Sequence, residues 1–247
     1  MLPPTEFIEG LFSLLYVIIS TFMGILIASK YSIYRDNTFL YIGIASIGLG
    51  TTHWPSSVSF LTNVLLNQPL PEDIFLLTSS AFISFFLIIW IIGISNLLFD
   101  KKNLIFIILF VILHITMETI FLVAFFINPD YVGEVIGPYN LNAKVTTLMF
   151  VLGIINLLTI IITGFWAAVR SMKSTNRLIK LKGTFLFCSF LLWFIAIALE
   201  IRAEVPTIGT VIIRTLLIIS VVGLYFGFVM PNIVQKFFIK INLLKPE

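Results

Sequence analysis

The sequence predicts an all-α integral membrane protein, a bundle of seven transmembrane helices followed by a short amphipathic C-terminal helix. Two observations carry this prediction. Hydrophobic residues make up 59% of the chain and charged residues only 11%, whereas about a quarter of the residues in a soluble domain are charged. The apolar residues also fall in long runs that do not alternate with polar residues, which is typical of transmembrane helices and not of a transmembrane β-barrel.

Seven apolar runs are each long enough to cross a bilayer. Their bounds are about 7–28, 39–65, 74–99, 104–128, 145–169, 181–201 and 207–230. The intervening segments contain charges and turn-forming residues that would be costly in lipid. The N-terminal segment is acidic, so we do not expect a cleaved signal peptide. The chain therefore divides into a transmembrane domain over 1–231 and a basic amphipathic cytoplasmic tail over 232–247.

The distribution of positive charge predicts the orientation. Twelve lysines and arginines lie in the loops after the first, third and fifth runs and in the C-terminal tail, whereas the opposite side carries two, Lys144 and Arg202. That opposite side also carries eight acidic residues. We therefore expect a multi-pass protein of the cell membrane with its N-terminus outside and its C-terminus inside. Lys236 and Lys240 would attract the tail to anionic lipid on the inner leaflet.

Five polar residues within the apolar runs are the candidate ligand-binding residues. They are His53, Ser56, His114, Glu118 and Arg214. Ionisable groups are expensive in lipid and commonly mark the functional part of a membrane protein. A rise of about 1.5 Å per helical residue places them in the middle to outer part of the bundle. Because Glu118 and Arg214 are the formally charged residues deepest in the runs, we predict that they pair. The pair would either pin two helices together or face a ligand.

The second apolar run contains the segment GLGTTHWPSSVSF at 48–60. Pro55 has no backbone N–H to donate and clashes with the preceding turn, so it should kink the helix there. The kink frees backbone carbonyls at the level of His53 and Ser56. We therefore expect this segment to form a wall of the cavity, although satisfied polar groups in a packed core are the alternative.

Several chemistries are not expected. The chain contains two histidines, so a three-histidine zinc site is excluded, and His53, His114 and Glu118 lack a metal-binding motif. The last run contains no lysine for a retinal Schiff base. We expect no metal, no cofactor and no nucleic-acid partner, and the sequence favours a non-enzymatic role. The single cysteine, Cys188, excludes an intrachain disulfide.

The end of the last run, GLYFGFVMPNIVQKFF at 223–238, resembles the membrane exit of the seven-helix sensor regions at the N-terminus of prokaryotic histidine kinases. In those proteins an aromatic and glycine segment, a proline and a basic amphipathic stretch lead into cytoplasmic domains. No kinase, PAS or cyclase sequence follows here. The resemblance therefore implies a sensor without an output domain, which signals through a separate cytoplasmic protein.

Two functions remain open. In the first, a receptor or sensor binds a small molecule from the outer side in a cavity of the outer half of the bundle. In the second, a small-solute transporter or channel uses the same intramembrane groups, and an intramembrane enzyme is a more distant third. The absence of an evident repeat or of paired broken helices favours the first. The acidic outer face favours cationic or neutral ligands.

Overall fold

The computed structural model describes residues 2–99, 103–200 and 206–240, and the chain folds into a bundle of helices with one small β-hairpin. The helices are α1 (Pro4–Ser29), α2 (Tyr31–Tyr34), α3 (Asn37–Gly48), α4 (Trp54–Leu66), α5 (Glu72–Ser80), α6 (Ile83–Leu98), α7 (Leu104–Ile127), α8 (Thr147–Met172), α9 (Arg177–Glu200), α10 (Thr207–Phe228) and α11 (Asn232–Lys240). The hairpin consists of β1 (Gly133–Ile136) and β2 (Asn142–Val145).

Six helical segments in the described part of the chain are long and apolar enough to cross a membrane. They are Pro4–Tyr34, Glu72–Leu98, Leu104–Ile127, Thr147–Met172, Arg177–Glu200 and Thr207–Phe228. Their mean hydropathy lies between 2.0 and 2.5. These segments coincide with six of the seven predicted runs, so the prediction of a helical, multi-pass membrane protein is confirmed. Some of the charged residues counted for the orientation lie outside the described residues, namely Lys101, Lys102, Arg202, Glu204 and Lys245.

The remaining predicted run, at 39–65, is divided into two shorter helices. Helix α3 has 12 residues and α4 has 13, and a 3-10 turn at Thr51–His53 separates them. Pro55 lies in the first turn of α4, where a missing N–H costs nothing because that donor has no partner within the helix. The prediction of a kink at Pro55 is therefore confirmed in a stronger form, since the helix ends and begins again. Neither piece alone has the length of a membrane span.

A second interruption separates α5 from α6 at Ala81 and Phe82, and it lies against the first. The ring of Trp54 packs beside Phe82 and Phe86, with ring centroids 5.7 and 6.0 Å apart. A Cβ atom on Gly48 would overlap the side chain of Phe86. The two broken helices therefore pack against each other at their breaks.

The main apolar core lies where α1, α3, α6, α8, α9 and α10 meet. Trp90 lies at its centre and donates a 2.9 Å hydrogen bond to the hydroxyl of Thr163, which joins α6 to α8. Small residues bring α9 and α10 close together, because Cβ atoms at Gly223 and Gly227 would overlap side chains of α9. The two glycines have GxxxG spacing, which is typical of closely packed membrane helices.

Candidate functional site

An ion pair between Arg214 and Glu200 lies at the end of the bundle where α9 ends and α10 begins. Arg214 Nη1 donates to Glu200 Oε1 at 2.6 Å. The Arg214 side chain is 5% exposed and that of Glu200 is 31% exposed. The guanidinium is therefore enclosed by protein, whereas the carboxylate is the accessible end of the pair.

His53 and Ser13 complete a cluster around this pair. Nε2 of His53 lies 3.4 Å from Arg214 Nη1 and 3.7 Å from Glu200 Oε2. Arg214 Nε donates to the hydroxyl of Ser13 at 3.3 Å. Since Arg214 is always a donor, His53 accepts this contact when Nε2 carries no proton. We call Ser13, His53, Glu200 and Arg214 the arginine cluster; it joins α1, the 3-10 turn before α4, α9 and α10.

Tyr16 connects the arginine cluster to the break between α3 and α4. Its ring packs edge-on against His53, with centroids 5.0 Å apart. Its hydroxyl donates to the backbone carbonyl of Leu49 at 2.9 Å. This carbonyl lies just after α3, where a broken helix leaves acceptors without partners. Tyr16 therefore stabilises the break and positions the imidazole at the same time.

The predicted pairing of Glu118 with Arg214 is wrong. Arg214 pairs with Glu200, and Glu118 lies in a separate groove that Ser84 also lines. The reason is helix placement, since α7 packs chiefly on α6 whereas α10 packs on α9 and α1. A sequence signal for the true pair existed. Glu200 and Arg214 belong to two consecutive helices, α9 and α10, and consecutive elements are commonly neighbours in space.

His114 lies one helical turn from Glu118 and is fully buried. Its ring approaches the side chain of Asn156. Within the described part of the chain, three buried atoms of this pair have no hydrogen-bond partner. They are the two ring nitrogens of His114 and Oδ1 of Asn156. Buried polar atoms are almost always paired, so these atoms require an explanation.

Ser56 occupies a third place and anchors the β-hairpin to α4. Its hydroxyl donates to the carbonyl of Leu141 at 2.7 Å. Asn63, two turns further along α4, donates to the carbonyl of Tyr139 at 2.8 Å. Asn140 in turn donates to the carbonyl of Leu70 at 2.8 Å. Side chains of α4 therefore hold the hairpin against that helix by donating to its backbone carbonyls. No sequence pattern predicted the hairpin.

The five candidate residues are thus distributed over three places instead of one cavity. His53 and Arg214 come together in the arginine cluster, Glu118 lines the groove at α7 with His114 one helical turn away, and Ser56 holds the hairpin. Sequence reasoning missed two members of the arginine cluster, Ser13 and Glu200, and also Tyr16, which packs against His53. Over the residues that the structure describes, no three His, Cys, Asp or Glu side chains group in a way that could hold a metal ion.

No family model, no curated protein and no solved structure matches this chain.

Proposed function

We propose that the chain is a seven-crossing membrane sensor with its N-terminus outside, in which the arginine cluster responds to a small ligand and α11 reports to a cytoplasmic protein. The broken pair α3 and α4 would form the seventh crossing. Support for the orientation comes from the excess of positive residues in alternate loops. In this orientation the arginine cluster lies below the outer surface.

The observation that carries the proposal is the connectivity of the arginine cluster. The buried guanidinium of Arg214, which belongs to α10, contacts groups from α1, from α9 and from the turn that precedes α4. A change in charge at Glu200 would therefore alter the balance of contacts among four elements at once. Such a shared contact is a suitable switch, because a ligand can shift a conformation only by favouring one arrangement over another.

The exposure of the cluster indicates the ligand class. Glu200 is its accessible group, whereas Arg214 and His53 are covered by protein. A carboxylate attracts cations, and the acidic outer face would concentrate them. We therefore infer a cationic ligand that acts at Glu200.

Helix α10 offers a route to the opposite side of the bundle. It leads through Met230, which has a left-handed backbone (φ 50°), and Pro231 into α11. The ring of Phe238 in α11 packs edge-on against Phe185 of α9, with centroids 5.8 Å apart. Phe185 also packs edge-on against Phe226 of α10, with centroids 5.7 Å apart. Lys236 on α11 is exposed. A movement of α10 relative to α9 would therefore reach a basic surface suited to an acidic protein partner.

The test uses neutralisation of Glu200 in place of an unidentified ligand. Cys188, which is exposed, is first replaced by serine. An environment-sensitive dye is then attached to the cysteine of the Lys236→Cys variant, and the labelled protein is reconstituted in nanodiscs. Glu200→Gln should shift the dye emission, because it mimics a carboxylate whose charge a cation has cancelled. Glu72→Gln removes an exposed acid at the start of α5 and should leave the emission unchanged.

An unchanged emission in folded Glu200→Gln would contradict the proposal. Should that variant fail to fold, Arg214→Lys provides the second test. It keeps the positive charge but not the fork geometry that contacts Glu200, Ser13 and His53, so it should also shift the emission if the cluster controls α11.

One observation favours a transporter as the second candidate. The sequence predicted no paired broken helices, but the structure contains two adjoining breaks, after Gly48 and after Ser80. Such interruptions are of the type that transporters use at substrate sites. Proteoliposomes with the purified protein would separate the two candidates. Uptake of methylammonium or of sodium above that of protein-free vesicles would favour transport, whereas no uptake together with a dye response would favour the sensor.

A further inference from the structure

A small groove lies between α6, α7 and α8, away from the arginine cluster. Its volume is about 50 Å³. The polar residues that line it are Ser80, Ser84, Glu118 and Asn156. The remaining walls are mainly apolar and include the buried side chains of Met117 and Phe121. The groove is therefore a local concentration of oxygen atoms within hydrophobic surroundings.

Glu118 places a carboxylate in this groove, and no ion pair within residues 2–99, 103–200 and 206–240 involves it. The pairs that involve buried histidine or arginine go to Glu200. An ionised carboxylate at membrane depth is costly unless a positive charge neutralises it. Glu118 must therefore either hold a proton or be balanced by a cation from outside the described residues.

A polar atom beside Glu118 also lacks a partner. Oδ1 of Asn156 is buried and has no hydrogen-bond donor among the described residues. An acceptor oxygen needs a donor or a cation. This atom points independently of the charge argument to a bound polar species.

We propose that this groove binds one sodium ion. The available ligands are oxygens from one carboxylate, one amide and serine hydroxyls, which is a donor set for a hard cation. A single carboxylate balances a monovalent ion and not a divalent one. The volume suits one ion with a water molecule, since a water needs about 10–15 Å³ of such space.

The test is thermal unfolding of the purified protein in detergent, compared between sodium chloride and choline chloride at equal ionic strength. Both solutions are kept at about pH 8, so that carboxylates are ionised. At a sodium concentration of about ten times Kd, the unfolding temperature should rise by about 3–6 °C relative to choline. The shift should disappear in Glu118→Gln and in Asn156→Leu. It should remain in Glu72→Gln, which removes an acid outside the groove.

Three outcomes would overturn the proposal. Equal unfolding temperatures in sodium and choline would exclude a sodium site, and a sodium shift retained in Glu118→Gln would place the ion elsewhere. Stabilisation by lowered pH without any sodium effect would mean that Glu118 takes a proton instead. If the variants do not fold, binding of radioactive sodium to the wild-type chain, measured by scintillation counting, provides the readout. We expect one bound ion per chain, and the absence of binding would contradict the proposal. The dye on α11 is a separate readout, so failure here leaves the sensor proposal standing.

Discussion

Replacing Glu200 and replacing Arg214 should destabilise the protein by unequal amounts, although each substitution removes the same ion pair. In Glu200→Gln the guanidinium of Arg214, 5% exposed, remains buried without its counter-ion. Removing one member of a buried pair costs about 3–5 kcal/mol, and we expect about 3 kcal/mol because Glu200 itself is partly exposed. In Arg214→Met the carboxylate left behind is 31% exposed. That variant should therefore lose only about 1–3 kcal/mol, mainly through the unpaired polar groups around it.

Combining the two substitutions should recover part of the loss. The double variant contains neither charge, and uncharged replacements of a buried pair are often close to neutral. We therefore expect a coupling energy of about 2–3 kcal/mol between Glu200 and Arg214, within the range found for contacting residues.

The assay is reversible unfolding in mixed micelles as the fraction of SDS increases, followed by circular dichroism. Four proteins form the cycle, and Glu72→Gln serves as the control for loss of an exposed acid. Additive losses, with no coupling between the two positions, would refute the reasoning that this pair joins α9 to α10. A larger loss in Arg214→Met than in Glu200→Gln would refute the argument from exposure.

Two further predictions concern packing and the hairpin. A Cβ atom on Gly43 would lie 2.6 Å from the carbonyl oxygen of Gly24, so Gly43→Ala should cost about 1–3 kcal/mol in the same SDS titration. Gly153→Ala meets nothing within 4 Å and should instead stabilise its helix by about 0.5–1 kcal/mol. Asn63→Leu removes the hydrogen bond to Tyr139 and should raise hydrogen exchange in the β-hairpin about tenfold. Unchanged exchange would mean that other contacts hold the hairpin.

Local sequence signals predicted the helices well. The run at 104–128 becomes a helix over Leu104–Ile127, and Asn103 caps it by accepting from the N–H of Phe106. Pro55 predicted the interruption of the second run because its effect depends only on its own ring and the preceding turn. Such features depend on a few neighbouring residues, so the sequence contains all that is needed to find them.

Contacts between distant parts of the chain were not predictable in the same way. The β-hairpin depends on Asn63 and Ser56, about 80 residues away in the chain, as donors to its backbone. The partner of Arg214 depended on which helices are neighbours, and hydropathy is nearly the same for all of them. Charge at depth identified Arg214 as a residue that needs a partner, but not Glu200 as that partner.

The sequence by itself determined that this protein is a helical, multi-pass membrane protein, where its long helices lie and which polar residues are embedded in them. The reason is that lipid requires long apolar segments whose backbone is hydrogen-bonded within each helix. Tertiary structure alone decided that His53 and Arg214 meet Glu200, and that Glu118 instead faces Ser84 and Asn156 in a groove of its own. Helix neighbours are selected by packing of small and large side chains over the whole bundle, which no single apolar run records.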